Sequence, residues 1–176
     1  APSNTLDVFS ATGLAKLPGH STLNASVALS VGKQNDAFIP WTINPVVANP
    51  ATYAMYPGLA GLPRATADAQ MDALNAVLNF TSRPAPWVGF SARYRYNDRK
   101  DRMPQFNGGN TVRFDGVPEP GPYKTEALDA SRTSFNADAT FTPLSFTALK
   151  LGVGKERYEH TARGFGWLED SIVRAS

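Results

Sequence analysis

The sequence predicts an all-β fold, an antiparallel up-and-down meander that forms part of a transmembrane β-barrel. Apolar and polar residues alternate with a period of two, and helical periodicity is almost absent. Each segment alternates over about 9–12 residues, close to the span of a tilted membrane strand. Connections alternate between short turns and long loops, and each strand has one polar face, as in outer-membrane barrels.

The predicted strands follow one another in a simple order. The clearest runs from Leu23 to Val31, where Asn24, Ser26 and Ser30 oppose the apolar positions. A seventh strand begins at about Asp170, and its faces are ambiguous. The apolar positions of the first six strands are Leu6, Val8 and Leu14; Leu23, Ala25, Val27, Leu29 and Val31; Leu74, Ala76, Leu78 and Phe80; Val88, Phe90, Ala92, Tyr94 and Tyr96; Phe135, Ala137, Ala139 and Phe141; and Leu149, Leu151 and Val153.

The two faces predict two environments. A face rich in Asn, Asp, Ser, Thr, Arg and Lys cannot form a dry core without unpaired polar groups, but it can line a water-filled lumen. An alternative is that the polar side chains have no specific role and only keep a water-facing surface hydrated. The lumen-lining candidates are Asn75, Asn79, Arg93, Arg95, Asn136, Asp138 and Lys150. The candidates for the lipid-facing surface and its aromatic girdle are Leu23, Val27, Leu29, Phe80, Phe90, Tyr94, Tyr96, Phe135, Phe141 and Leu151.

The connections support the barrel over a soluble sheet. Short turns are predicted at 16–20, 83–86 and 143–146, and long Pro- and Gly-rich loops at about 34–70 and 99–129. Structureless loops of that length are unusual inside a compact soluble domain. They are routine on the extracellular side of outer-membrane barrels. A secreted β-sandwich binding module stays open as an alternative, because it also needs one apolar face per strand.

Composition excludes several functions. Among 176 residues, 17 basic and 15 acidic side chains give a net charge of +2, whereas a nucleic-acid-binding domain carries a larger excess. The Arg93–Tyr96 stretch interleaves cations with rings, but successive side chains on a strand point to opposite faces. No nucleic-acid partner is therefore expected. No apolar run approaches the roughly 20 residues of a membrane helix.

Catalytic and metal-binding chemistry is not predicted. The absence of cysteine excludes thiolate metal sites, a Cys nucleophile and covalent haem attachment within this chain. His20 and His160 lie at opposite predicted rims, and Asp98, Asp101 and Asp115 lack the EF-hand spacing. No hydrolase, P-loop or metalloprotease motif occurs. We expect no enzyme activity, no catalytic residues, no metal and no cofactor.

Three blocks of sequence resemble the MtrB/PioB family of outer-membrane β-barrels. They are Leu17–Leu23 running into Gln34–Asn44; Ser82–Pro84 with Ala92–Arg99 and Met103–Pro104; and Leu149–His160 followed by Leu168–Arg174. The resemblance implies a bacterial outer-membrane barrel with many more strands, of which residues 1–176 would be a single internal segment. The chain's start at Ala1 and its end within a predicted strand agree with this expectation.

The resemblance also implies a partner. By this resemblance, the barrel would form a sheath around a periplasmic multihaem c-type cytochrome. Electrons would cross the Gram-negative envelope through that cytochrome in extracellular electron transfer. Any haem would belong to that partner, since this chain has no haem-binding motif. A general porin or structural barrel without a cytochrome is the alternative.

Overall fold

A computed structural model describes residues 3–38, 64–108, 111–112, 118–119, 123–144, 146–162 and 166–175. The described residues form strands and connections, and none of them lies in a helix. Consequently, no helix in this part of the chain is long and apolar enough to cross a membrane. The chain divides into two units, a strand unit (6–31, 71–101 and 128–176) and a loop unit (1–5, 32–70 and 102–127).

Seven long strands form one antiparallel meander, which confirms the predicted fold class. The seven strands lie in the sheet in the same order as in the chain. Four short strands of the loop unit form two separate two-stranded sheets. The long strands are β1 (Asn4–Leu17), β2 (Ser21–Gln34), β3 (Ala69–Ala85), β4 (Val88–Asp101), β9 (Ala130–Leu144), β10 (Thr147–Ala162) and β11 (Gly166–Ala175). The short strands are β5 (Asn107–Gly108), β6 (Thr111–Val112), β7 (Pro118–Glu119) and β8 (Tyr123–Lys124).

The strands are longer than the alternating pattern predicts. β3 has 17 residues and β10 has 16. Most of the extra length lies at the long-loop end, where charges such as Lys100 and Arg157 interrupt the apolar face but leave the backbone pairing intact. Hydrogen bonding between strands does not depend on side-chain polarity, so the ladder continues past the end of the hydrophobic pattern.

The pairing of β11 with β10 explains why the sequence does not reveal which side of β11 is apolar. Val173 pairs with Lys155, whereas Ile172 pairs with Glu156 on the other face. Each face of this strand therefore carries an aliphatic side chain, and no alternation can be read from it. The strand also begins earlier than expected, at Gly166 rather than at about Asp170.

The sheet has no dry core in the described part of the chain. No large side chain there is fully buried, and Leu29, Phe90 and Leu151 are 51%, 46% and 60% exposed. A β-sandwich would bury these side chains between two packed sheets. Their exposure is evidence against the sandwich alternative and leaves a continuous apolar surface that needs a non-aqueous neighbour.

The predicted long loops contain short backbone pairings in the loop unit. β5 pairs with β8, β6 pairs with β7, and Ala37 bridges to Thr66. The Phe106 ring has two neighbours in this unit, the Phe38 ring with its centroid 6.1 Å away and the Arg64 guanidinium 5.6 Å above it. The rest of these predicted loops, at 39–63, 109–110, 113–117 and 120–122, lies outside the described residues.

The turn between β1 and β2 is tied to β3 by two hydroxyl groups. Gly19 and His20 both have positive φ, which permits the tight reversal. Directly after it, the Ser21 hydroxyl donates to Ser82 Oγ at 2.8 Å, and both serines are buried. The His20 carbonyl accepts a further hydrogen bond from the Arg83 amide.

This serine pair predicts a non-additive effect on stability. Ser21→Ala and Ser82→Ala should each cost about 1 kcal/mol, because each leaves a buried hydroxyl without its partner. The double variant should cost clearly less than the sum of the two. Urea unfolding in lipid vesicles would measure all three, with Ser26→Ala on the other face of β2 as a near-neutral control. Strictly additive losses would show that the two hydroxyls do not stabilise each other.

Candidate functional site: the polar face of the sheet

The strand register places all seven predicted lumen candidates on one face. Across β3, β4 and β9, Asn79, Arg93 and Asn136 form one row. Arg95 lies in the next row towards the long loops, and Asp138 lies one row towards the short turns. Asn75 occupies the same face of β3, and Lys150 occupies it on β10, opposite Thr140. We call this surface the polar face.

The row through Arg93 is held by specific contacts. Arg93 Nε donates a hydrogen bond to Asn79 Oδ1 at 2.7 Å. Gly154 lies opposite Asn136, and a Cβ at this glycine would approach Asn136 Oδ1 to 2.7 Å. Glycine therefore lets the Asn136 side chain extend over β10, where any larger residue would push it away.

The polar face includes charged residues that the sequence reasoning did not single out. Arg132 and Glu156 form an ion pair at 2.7 Å between β9 and β10. Arg99 continues the stripe of Arg93 and Arg95, and Arg83 reaches the same side, with its Cγ 3.9 Å from where a Gly89 Cβ would stand. Extending the strict alternation past the apolar segments would have identified Arg99 and Arg132.

Two histidines mark opposite ends of the strand unit, as predicted. His20 lines a concavity of about 570 Å³ at the short-turn end, together with Arg83, Asp138 and Lys150. His160 lies near the long-loop end, with its ring 5.0 Å from that of Tyr158. Its Nδ1 is buried and lacks a hydrogen-bond partner among the described residues.

The polar face offers hydrogen-bonding groups and charge rather than reactive chemistry. A second concavity of about 320 Å³ is lined by Asn79, Ser91, Arg93, Asn136 and Asp138. Within the described ranges, no three His, Cys, Asp or Glu side chains come together in a way that could hold a metal ion. Asp98 and Asp101 lie on opposite faces of β4, and Asp115 lies outside the described residues.

The opposite face carries the ten predicted lipid-facing residues. The register joins Phe90 to Leu151 through Ala139, and Tyr94 to Phe135 directly. Phe80, Tyr96 and Phe141 belong to the same face by their pairings. On β2, Leu23, Val27 and Leu29 alternate in phase with Ser21, whose bond to Ser82 fixes this as the same side. We call this surface the apolar face.

The apolar face is a band with defined limits. At the short-turn end, Trp87 packs edge-on against Phe141 with ring centroids 5.4 Å apart. At the other end the first charged residue of β4 is Asp98, just beyond Tyr96, and that of β10 is Lys155, which lies opposite Phe135 in the row of Tyr94. Val88 to Tyr96 spans about 26 Å of strand, or about 20 Å across a membrane at a tilt of ~40°. That is close to the roughly 25 Å apolar band of outer-membrane barrels.

Adjacent residues of β4 provide a matched test of the two faces. Ala92 lies in the middle of the apolar band between Phe80 and Ala137, whereas Ser91 lies on the polar face beside Asp138. Ala92→Arg should lower the free energy of unfolding in lipid vesicles by about 2–4 kcal/mol, because it places a charge in the hydrocarbon. Ser91→Arg should be nearly neutral. Equal losses for both variants would contradict the assignment of the faces.

Comparison with protein families agrees with this geometry. The family model described as "Putative outer membrane beta-barrel porin, MtrB/PioB" matches residues 1–174, nearly the whole chain. No curated protein matches the sequence significantly.

Proposed function

Because the chain belongs to the MtrB/PioB family of outer-membrane β-barrel porins, we propose that its polar face lines a water-filled lumen and its apolar face meets lipid. One observation carries the proposal. The register separates a polar face from a mainly apolar one, and the described residues leave both without a protein layer. The protein then acts as a conduit in the bacterial outer membrane rather than as a catalyst.

The physical chemistry of each face supports this arrangement. In hydrocarbon every backbone polar group must be paired within the protein, and a continuous antiparallel ladder meets that need between its neighbouring strands. Side chains such as Arg93 and Asp138 need water, because burying them without partners is costly. A barrel supplies water on one side and lipid on the other. We propose that residues 1–176 form one segment of such a barrel, with its long loops extracellular.

We further propose that the lumen holds a periplasmic multihaem c-type cytochrome. The support is the resemblance to barrels that sheathe such cytochromes, together with the composition of this chain. It has no cysteine and only two histidines, which lie at opposite ends of the strand unit. An electron path through this barrel would therefore need haems from a partner.

The membrane assignment predicts three properties of the protein. It should leave the outer membrane only with detergent, and it should migrate faster on a gel before boiling than after, because a closed β-barrel resists unfolding by detergent. Reconstituted in a planar bilayer, the barrel should produce ion currents. Release as a soluble protein by osmotic shock would overturn the proposal.

The cytochrome assignment needs a separate experiment. Affinity purification of the barrel from its native membrane should co-purify a protein that stains for covalent haem. Proteoliposomes containing the complex should pass electrons from an external reductant to an enclosed dye. A barrel that purifies without haem but conducts ions would support the general porin instead.

A further inference from the structure

The two faces of the sheet differ sharply in charge. On β3, β4, β9 and β10 the polar face carries six cations against three carboxylates, Asp101, Asp138 and Glu156. The apolar face of the same strands carries three cations and three carboxylates, all in the half of the sheet nearer the long loops. The six cations of the polar face are Arg83, Arg93, Arg95, Arg99, Arg132 and Lys150.

Most of these cations lack an anionic partner. Of these six cations, only Arg132 forms an ion pair with another described residue, Glu156. Arg93 bonds to a neutral amide, that of Asn79. Arg83, Arg95, Arg99 and Lys150 are exposed, and none has a carboxylate within salt-bridge distance among the described residues. Their charge is therefore not cancelled locally.

The unpaired cations are spread along the strands instead of clustering at one mouth. Arg83 and Lys150 line the concavity at the short-turn end. Arg93 and Arg95 occupy the middle of β4, and Arg99 lies two residues before its end. An ion moving along the polar face would meet positive side chains near both ends and in the middle, with one row between Arg83 and Arg93 that carries Asp138 and no cation.

We propose that this wall makes the conduit selective for small anions. The inference rests on the proposed lumen. Charges of one sign on the wall of a narrow aqueous path, backed by low-dielectric lipid, focus the field and raise the local concentration of the opposite ion. Rings of Arg and Lys are the side chains that select for anions in pores. The net charge of +2 for the whole chain does not reveal this asymmetry, because acidic residues outside the polar face offset most of its positive charge.

The test is the reversal potential of the full-length barrel in a planar bilayer under a potassium chloride gradient. The protein should come from a host that makes no multihaem cytochromes, so that the lumen is open. Wild-type barrel should pass chloride in preference to potassium. Arg93→Gln/Arg95→Gln should reduce the chloride-to-potassium permeability ratio by about twofold for each charge removed at low salt.

Lys155 provides the matched control. It is exposed on the apolar face, in the row of Phe135 and Tyr94, and, like Arg95, has no carboxylate partner among the described residues. Lys155→Gln removes one positive charge from the protein but should leave the permeability ratio unchanged.

The outcomes separate the two proposals. A wild-type channel that prefers potassium or shows no preference would overturn anion selectivity while keeping the lumen. So would an effect of Lys155→Gln as large, per charge, as that of the arginine variants. A barrel that folds in the bilayer but conducts nothing would overturn the lumen and this inference together.

Discussion

The antiparallel backbone ladder is the constraint on which the rest of this structure depends. Once β3, β4, β9 and β10 pair in a fixed register, every second residue of each strand faces the same side. A slip of one residue would place Arg93 and Arg95 among Phe80, Leu78 and Phe135. The separation of the two faces is thus a property of the register as much as of the sequence. It is fixed without a core, since no large side chain is fully buried in the described residues.

Much of this arrangement could be predicted from the sequence, because alternation by two is a local signal. Tyr94 and Arg95 lie on opposite faces simply because they are neighbours on a strand. The common face of Arg93 on β4 and Asn136 on β9 could also be inferred, since apolar residues mark the opposite side of both strands. The all-β meander and the family followed from the same pattern and from the turn sequences. That the polar face lines a lumen stays a prediction.

What could not be predicted depends on contacts between strands. The ion pair between Arg132 and Glu156 requires the exact offset of β9 against β10, which sequence spacing does not give. The role of Gly154 as space for Asn136 depends on the same offset. The strand ends extend past the apolar pattern because backbone pairing ignores side-chain polarity. β11 has an aliphatic residue on both faces, so it offered no alternation to read.

The charge asymmetry follows from the same constraint and explains how a nearly neutral chain can present a strongly positive wall. On the apolar face, charges lie in the half of the sheet nearer the long loops, where Asp98 lies 4.0 Å from Lys100 and Glu159 pairs with Arg157, while Lys155 has no carboxylate partner among the described residues. Paired charges suit a region at the edge of lipid, since they cancel each other's field. On the polar face, water solvates the cations and no pairing is required, so Arg95 and Arg99 can stay unpaired. A cation without a neighbouring carboxylate attracts a passing anion more strongly than a paired one, because no nearby negative charge cancels its field.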